Sequence, residues 1–191
     1  KAYCEVLKGA LGGTYGLSEI VTKAIPLTLT ALGGLICYKM LIWNIGAEGQ
    51  LCLGAIATTA VVRYCFVDSW PVMFVLMFLA AAIAGGLWCM IAGVLKAKWN
   101  VNETITTLML NYIGINLSEY FIYGPWKDPM SMGFPFTPNF PEAARLWVFG
   151  TTRIHGGIFV ALAIAVIFHL ILKRSKWGYE MTMKVRESYA E

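Results

Sequence analysis

Between Ala24 and Val62 the chain carries only two formal charges, Lys39 and Glu48. Glu48 sits in Trp43-Asn44-Ile45-Gly46-Ala47-Glu48-Gly49-Gln50-Leu51, beside the amides Asn44 and Gln50 and the glycines Gly46 and Gly49. A carboxylate at membrane depth costs about 3 kcal/mol on insertion scales, so Glu48 is expected to face protein or water rather than lipid. Glycines permit a sharp bend or a close helix approach. Side-chain amides can satisfy backbone groups that an interrupted helix exposes. The chemistry on offer is hydrogen bonding and charge pairing with a small polar solute. A second reading is equally open: Glu48 and the amides lock two helices together. A further polar set, Thr104, Thr106, Thr107, Asn111, Asn116, Ser118 and Glu119, is dense for a helix that would face lipid. Asn44, Glu48, Gln50, Thr107 and Asn111 are the candidates to line or shape a solute path.

No nucleophile–base pair, phosphate-binding loop or ligand cluster is visible in the sequence, so the chain reads as a non-enzyme that needs no cofactor. His155 and His169 are too few and too far apart for a metal site. The five cysteines (Cys4, Cys37, Cys52, Cys65, Cys89) form no CxxC pair and read as small buried hydrophobes. The net charge is +4, but no basic stripe with interleaved aromatics is present, which argues against a nucleic-acid partner.

These residues must be positioned by apolar elements. The 191 residues are 58% hydrophobic and only 14% charged, with a mean hydropathy of +0.64, where a soluble domain carries roughly 25% charged residues. The expected fold is all-α: a polytopic transmembrane helix bundle with a broken or re-entrant segment near Asn44–Gln50, in one membrane domain over residues 1–191. Spans are expected at 19–40, 49–67, 70–95, 103–123 and 156–173. Residues 1–19 read as a loop or short surface helix, with Ser18 and Glu19 as a helix start. Pro26 predicts a kink or a late start in the first span. Pro71 suits a first helical position. Ser69 to Leu95 contain no charge, enough to cross a hydrocarbon core of about 30 Å. In that span Ala81, Gly85, Cys89 and Gly93 recur every fourth residue and predict close packing on another helix. Asn100 is expected to cap the next helix while Glu103 reaches back.

The loop 124–155 holds five prolines and is expected outside, with Trp126 and Trp147 as interfacial anchors. A loop this long is uncommon without a purpose. Lys96, Lys98 and the Lys173–Lys176 cluster place their side in the cytoplasm, with residues 174–191 following there. His169 reads as interfacial. The sequons at Asn102 and Asn116 lie at or in the membrane and read as chance matches. The chain begins with Lys1 and stops in mid-segment, so it reads as a fragment of a longer protein.

Asn44-Ile45-Gly46-Ala47-Glu48-Gly49-Gln50, followed by Gly54-Ala55, resembles the "FNIGAEGQ…GA" signature of ABC-importer permeases for nucleosides and simple sugars, which are related to branched-chain amino acid and ribose permeases. Trp43 stands where that family usually has Phe. Asn102-Glu103-Thr104-Ile105-Thr106-Thr107-Leu108-Met109-Leu110-Asn111-Tyr112-Ile113 is similar to its "NEVISTLMLNYIA" run. Lys96-Ala97, Gly124-Pro125 and Pro26 also fit, and the resemblance covers nearly the whole chain.

The resemblance implies one more helix before Lys1 and several after Glu191. It implies a second related permease, an ABC ATPase subunit on the cytoplasmic face, and an extracytoplasmic substrate-binding protein, all working in a bacterial cell membrane. Trp177-Gly178-Tyr179-Glu180 looks like the family's Gly-aromatic-Glu element before its coupling helix. Gly178, Tyr179, Glu180, Arg186 and Glu187 are then the residues expected at the ATPase. Lys184-Val185-Arg186-Glu187-Ser188 departs from the usual glycine-containing pattern. The function implied is ATP-driven import by alternating access. The alternatives are an ion-coupled carrier or channel, in which Glu48 would titrate during transport, and a membrane enzyme or assembly subunit.

Overall fold

The structure is a computed structural model that describes residues 2–150, 152–176, 178–181 and 183. Its described residues form six α-helices: α1 (Ala2–Leu11), α2 (Thr14–Lys39), α3 (Ala47–Tyr64), α4 (Trp70–Trp99), α5 (Glu103–Tyr123) and α6 (Gly157–Arg174), with one 3-10 turn at Glu142–Ala144. Among the described residues the only β pairing is an isolated bridge between Val148 and His155. The fold is an all-α membrane helix bundle. Three helices, α2, α4 and α6, are long and apolar enough to cross a bilayer. The chain is therefore a multi-pass membrane protein. Helices α3 and α5, which hold the polar candidates, fall short of that apolar measure.

The α5 boundaries agree with those read from the sequence, and Pro71 lies in the first turn of α4 as expected. Other boundaries differ. Residues 2–11 form a short helix, one of the two expectations for the start of the chain, but α2 begins at Thr14 rather than near Ser18. Ser18 is instead buried inside α2, its hydroxyl donating to the Tyr15 carbonyl at 2.7 Å. Pro26 lies within α2, which continues to Lys39. Helix α3 starts at Ala47 and ends at Tyr64, so Glu48, Gly49 and Gln50 belong to its first turn and only residues 42–46 are irregular. Asn102, not Asn100, caps α5: its Oδ1 accepts from the N–H groups of Thr104 (3.0 Å) and Ile105 (3.3 Å). Asn100 closes α4 in the left-handed conformation, φ 50°. Glu103 does not reach back to a cap; it pairs with Lys96 at 2.8 Å.

The chain divides into two compact units, residues 1–41 with 146–191, and Ile42–Arg145. In the first, α2 packs on α6 and on α1. The loop before α6 is fastened to α2 by an ion pair between Glu19 and Arg153, and by Thr22 Oγ1 donating to the Arg153 carbonyl at 3.0 Å. The hydrogen bond to Glu19 holds the Arg153 guanidinium charged beyond its ordinary range. His155 Nδ1 accepts from the Gly157 N–H at 3.2 Å, and His169 is exposed on α6.

In the second unit α3 packs on both α4 and α5. Part of the small-residue ridge on α4 makes that contact: a Cβ at Gly54 would lie 3.6 Å from Ala81 Cβ, and one at Gly85 would lie 3.3 Å from the Gln50 carbonyl. Gly93 ends outside the contact, with nothing within 4 Å. Trp88 Nε1 donates to the Leu110 carbonyl at 3.2 Å and ties α4 to α5. Trp126 is 5% exposed and stacks on Phe121 at 4.4 Å, so it is a packing residue rather than an interfacial anchor. Trp147 is 71% exposed.

Candidate functional site: the α3–α5 crossing

The two polar stretches meet face to face. Along α5, Thr107, Asn111 and Gly114 follow helical spacing and form one buried stripe. Against it lies the start of α3. The Ile45 N–H donates to Thr107 Oγ1 at 3.2 Å, and the Gly49 N–H donates to Asn111 Oδ1 at 2.5 Å. Thr107 Oγ1 in turn donates to the Glu103 carbonyl at 2.8 Å. The first N–H groups of a helix have no partner within it. Here one of them is satisfied from a neighbouring helix, so the amide and the hydroxyl of α5 terminate α3 from outside.

The backbones also touch. A Cβ on Gly49 would stand 2.7 Å from Asn111 Cα, and one on Gly114 would stand 2.9 Å from Gly49 Cα. Gly46 is almost as confined, with the Thr107 carbonyl 3.0 Å from its Cβ position. Only glycine allows this approach, and it is this approach that brings the Gly49 N–H within reach of Asn111. Gly114 was not among the residues singled out from sequence. Its signal was its place three residues beyond Asn111 and seven beyond Thr107.

The irregular stretch before α3 is held from within. Asn44 Oδ1 accepts from the Gly46 N–H at 2.9 Å and from Gln50 Nε2 at 3.4 Å. Of the five candidates, Thr107 and Asn111 are therefore buried in the seam, and Asn44 and Gln50 are half-buried beside it. Glu48 differs. It is next to buried Gly49 yet exposed, and among the described residues its carboxylate makes no hydrogen bond or ion pair. The lock is thus made by the amide, the hydroxyl and the glycines, and the carboxylate takes no part in it.

Of the expected coupling residues, Gly178 is buried with its N–H donating to Ser175 Oγ at 3.2 Å, while Tyr179 and Glu180 are exposed. Tyr179 and Glu180 line an open pocket with Lys173, Arg174, Ser175 and Lys176 at the end of α6. Arg186 and Glu187, with Trp177, Lys184, Val185 and Ser188, lie outside the described residues. Among the described residues no group of His, Cys, Asp and Glu could hold a metal ion.

Comparison with known proteins fixes the family. Residues 16–188 match the permease component of the branched-chain amino acid transport system, and the chain belongs to that family. It is 35% identical over 191 residues to the glucose ABC transporter permease protein TsgB13 of Haloferax volcanii, a match covering 95% of this chain and 50% of that protein. It is 33% identical over 185 residues to the guanosine ABC transporter permease protein NupP of Bacillus subtilis, covering 94% of this chain and 52% of that one. The nucleoside ABC transporter permease protein NupB of Lactococcus lactis is 26% identical over 197 residues, covering 94% of this chain and 51% of its own length. The chain spans about half the length of the curated relatives it matches. No solved structure matches it.

Proposed function

We propose that the chain is the membrane-spanning part of a permease subunit of an ATP-driven importer for nucleosides or simple sugars, working by alternating access. Family membership and relatives named for glucose, guanosine and nucleoside transport support this reading. The observation that carries the site is Glu48, exposed in the first turn of α3 beside the glycine seam and, among the described residues, with no hydrogen bond or ion pair to its carboxylate. Favourable interaction with the α3 macrodipole gives a first-turn carboxylate at most about 1 kcal/mol at an exposed site. Its cost at membrane depth is about 3 kcal/mol. Stability alone therefore does not account for Glu48, and a role towards a polar solute does.

In this reading Glu48 faces the path, with Asn44 and Gln50 at its edge. Thr107 and Asn111 shape the path by fixing the start of α3. Solute hydroxyls suit a carboxylate and amides as hydrogen-bond acceptors and donors. A ligand biases two conformations only by its different affinity for each, so an external binding protein and an internal ABC ATPase must each prefer one state. A second related permease completes the path. Hydrolysis takes place on the ATPase, and the permease itself makes and breaks no bonds. Lys96, Lys98 and Lys173–Lys176 mark the cytoplasmic side of a bacterial cell membrane, with Gly178, Tyr179, Glu180, Arg186 and Glu187 towards the ATPase.

The test is uptake by the full-length transporter carrying Glu48→Gln, measured together with membrane abundance and with an inactive ATPase as control. The expected result is impaired uptake at normal abundance, with all uptake dependent on the ATPase. Normal uptake by the variant would remove Glu48 from the path. Uptake that follows a proton or sodium gradient without the ATPase would establish the ion-coupled carrier instead. Crosslinks from a cysteine at Tyr179 to the ATPase check the coupling surface, and labelling of that position only from outside would reverse the orientation.

A further inference from the structure

Residues 128–136 form a small loop closed on itself. The Asp128 N–H donates to the Phe136 carbonyl at 2.8 Å, joining its two ends. Inside it, Asp128 Oδ1 accepts from the Met130 N–H at 2.9 Å, and the Asp128 carbonyl accepts from Ser131 Oγ at 2.8 Å. The turn is completed at Met132 (φ 48°) and Gly133 (φ 96°). The only charged residue of the loop thus spends its side chain on the loop's own backbone. What the closed loop presents outwards is apolar: Met130 is 87% exposed, Met132 93%, Phe134 64% and Phe136 62%. From Pro129 to Pro141 the sequence has no charge at all.

The flanks of this loop are fixed to the helices. Before it, Trp126 is packed on Phe121 near the end of α5. After it, Arg145 Nε donates to the Phe140 carbonyl at 2.8 Å, and the Arg145 carbonyl accepts from Trp70 Nε1 at 2.9 Å. Trp70 is the first residue of α4, the most apolar of the bilayer-length helices, whose Val72, Val75, Phe78 and Leu79 are all about half exposed. The segment that carries the loop is therefore tied to the first residue of a bilayer-length helix, the end at which α4 would enter a bilayer.

We propose that the 128–136 loop seats its Met and Phe side chains in the lipid–water interface at the α4 entry level. A rigid apolar tip gains from burial in the interface in proportion to the apolar area it hides. A protein-docking surface of this kind is normally rimmed by polar and charged groups. The uncharged run through Pro141 favours lipid over a protein partner. The inference depends on membrane insertion and not on which solute is carried.

The test uses the full-length permease in vesicles of phosphatidylcholine and phosphatidylglycerol. Its native cysteines are replaced, and Met132→Cys or, in a second variant, Met130→Cys carries an environment-sensitive fluorophore. Insertion predicts a blue-shifted emission, quenching by lipids bearing a nitroxide near the headgroup, and loss of quenching by aqueous iodide, all without any soluble partner. Iodide quenching with no lipid quenching, from both positions in transport-competent protein, would overturn it. So would a shielded signal that arises only when a substrate-binding protein is added, which would make the loop a protein-docking surface.

Discussion

Two seams hold this molecule together in opposite ways. At the α3–α5 crossing, buried glycines bring backbone against backbone, and Thr107 and Asn111 bond to N–H groups with no formal charge involved. At the attachment of the 152–156 loop to α2, the contact is an exposed ion pair, Glu19 with Arg153, supported by Thr22. The first depends on shape and leaves no room for a methyl group. The second depends on charge and is open to solvent on the Arg153 side. Close approach makes each hydrogen bond of the first seam hard to replace, because a buried N–H that loses its acceptor finds no water. The groups of the second seam can exchange their partner for solvent.

The largest effect is expected from Gly49→Ala, which would drive a methyl to 2.7 Å from Asn111 Cα. Overpacking of this kind costs about 1–3 kcal/mol and occasionally more. It should lower both the thermal stability of the full-length protein and its membrane abundance. Gly93→Ala, at a helical glycine with nothing within 4 Å, should lower neither and can raise thermal stability slightly, since alanine favours the helix. Equal effects from the two would mean that the α3–α5 approach is not as close as described.

Next comes Asn111→Ala, which takes the acceptor from the Gly49 N–H. The expected loss is about 1–3 kcal/mol, the cost of a buried donor left unsatisfied. Thr107→Val should cost about 1 kcal/mol by removing the acceptor for Ile45. Thr107→Ser keeps the hydroxyl and should restore most of that stability. A Thr107→Val variant as stable as the unaltered protein would mean that the Ile45–Thr107 hydrogen bond contributes nothing.

The difference between the seams also explains what could be read from the sequence. Both halves of the α3–α5 seam stand out as polar residues in apolar surroundings, because such residues must find partners inside a membrane protein. The limits of α5 could be read from the cations Lys96 and Lys98 before one end and Gly124-Pro125 at the other, although the capping residue is Asn102 and not the expected Asn100. The pairing of Thr107 and Asn111 with one turn of α3 could not be read, since it depends on a crossing geometry that periodicity does not specify. Nor could the separation of Glu48 from its neighbours. Its charge marks it as special, but whether it faces the seam depends on helix α3 beginning at Ala47, two residues before the expected start. Trp126 looked interfacial from its type and its loop position, and only the fold brings Phe121 beneath it. The second seam had no signal at all: Glu19 and Arg153 lie 134 residues apart and in no motif.

The smallest effect is therefore expected at that second seam, and it is the one that sharpens the contrast most. Exposed ion pairs contribute little because solvent and salt compete for both partners. Glu19→Gln should lower thermal stability slightly at low ionic strength and not measurably at high salt, where the pair is already screened. The exchanged pair, Glu19→Arg with Arg153→Glu, should recover whatever either single reversal loses, since charge rather than shape carries the contact. The same exchange logic has no counterpart at the glycine seam: placing alanine at Gly49 and removing the Asn111 side chain together leaves the Cβ clash with the Asn111 backbone in place. If the reversed pair instead stayed as unstable as the single variants at every salt concentration, the α2–loop contact would depend on shape as well, and the distinction between the two seams would fail.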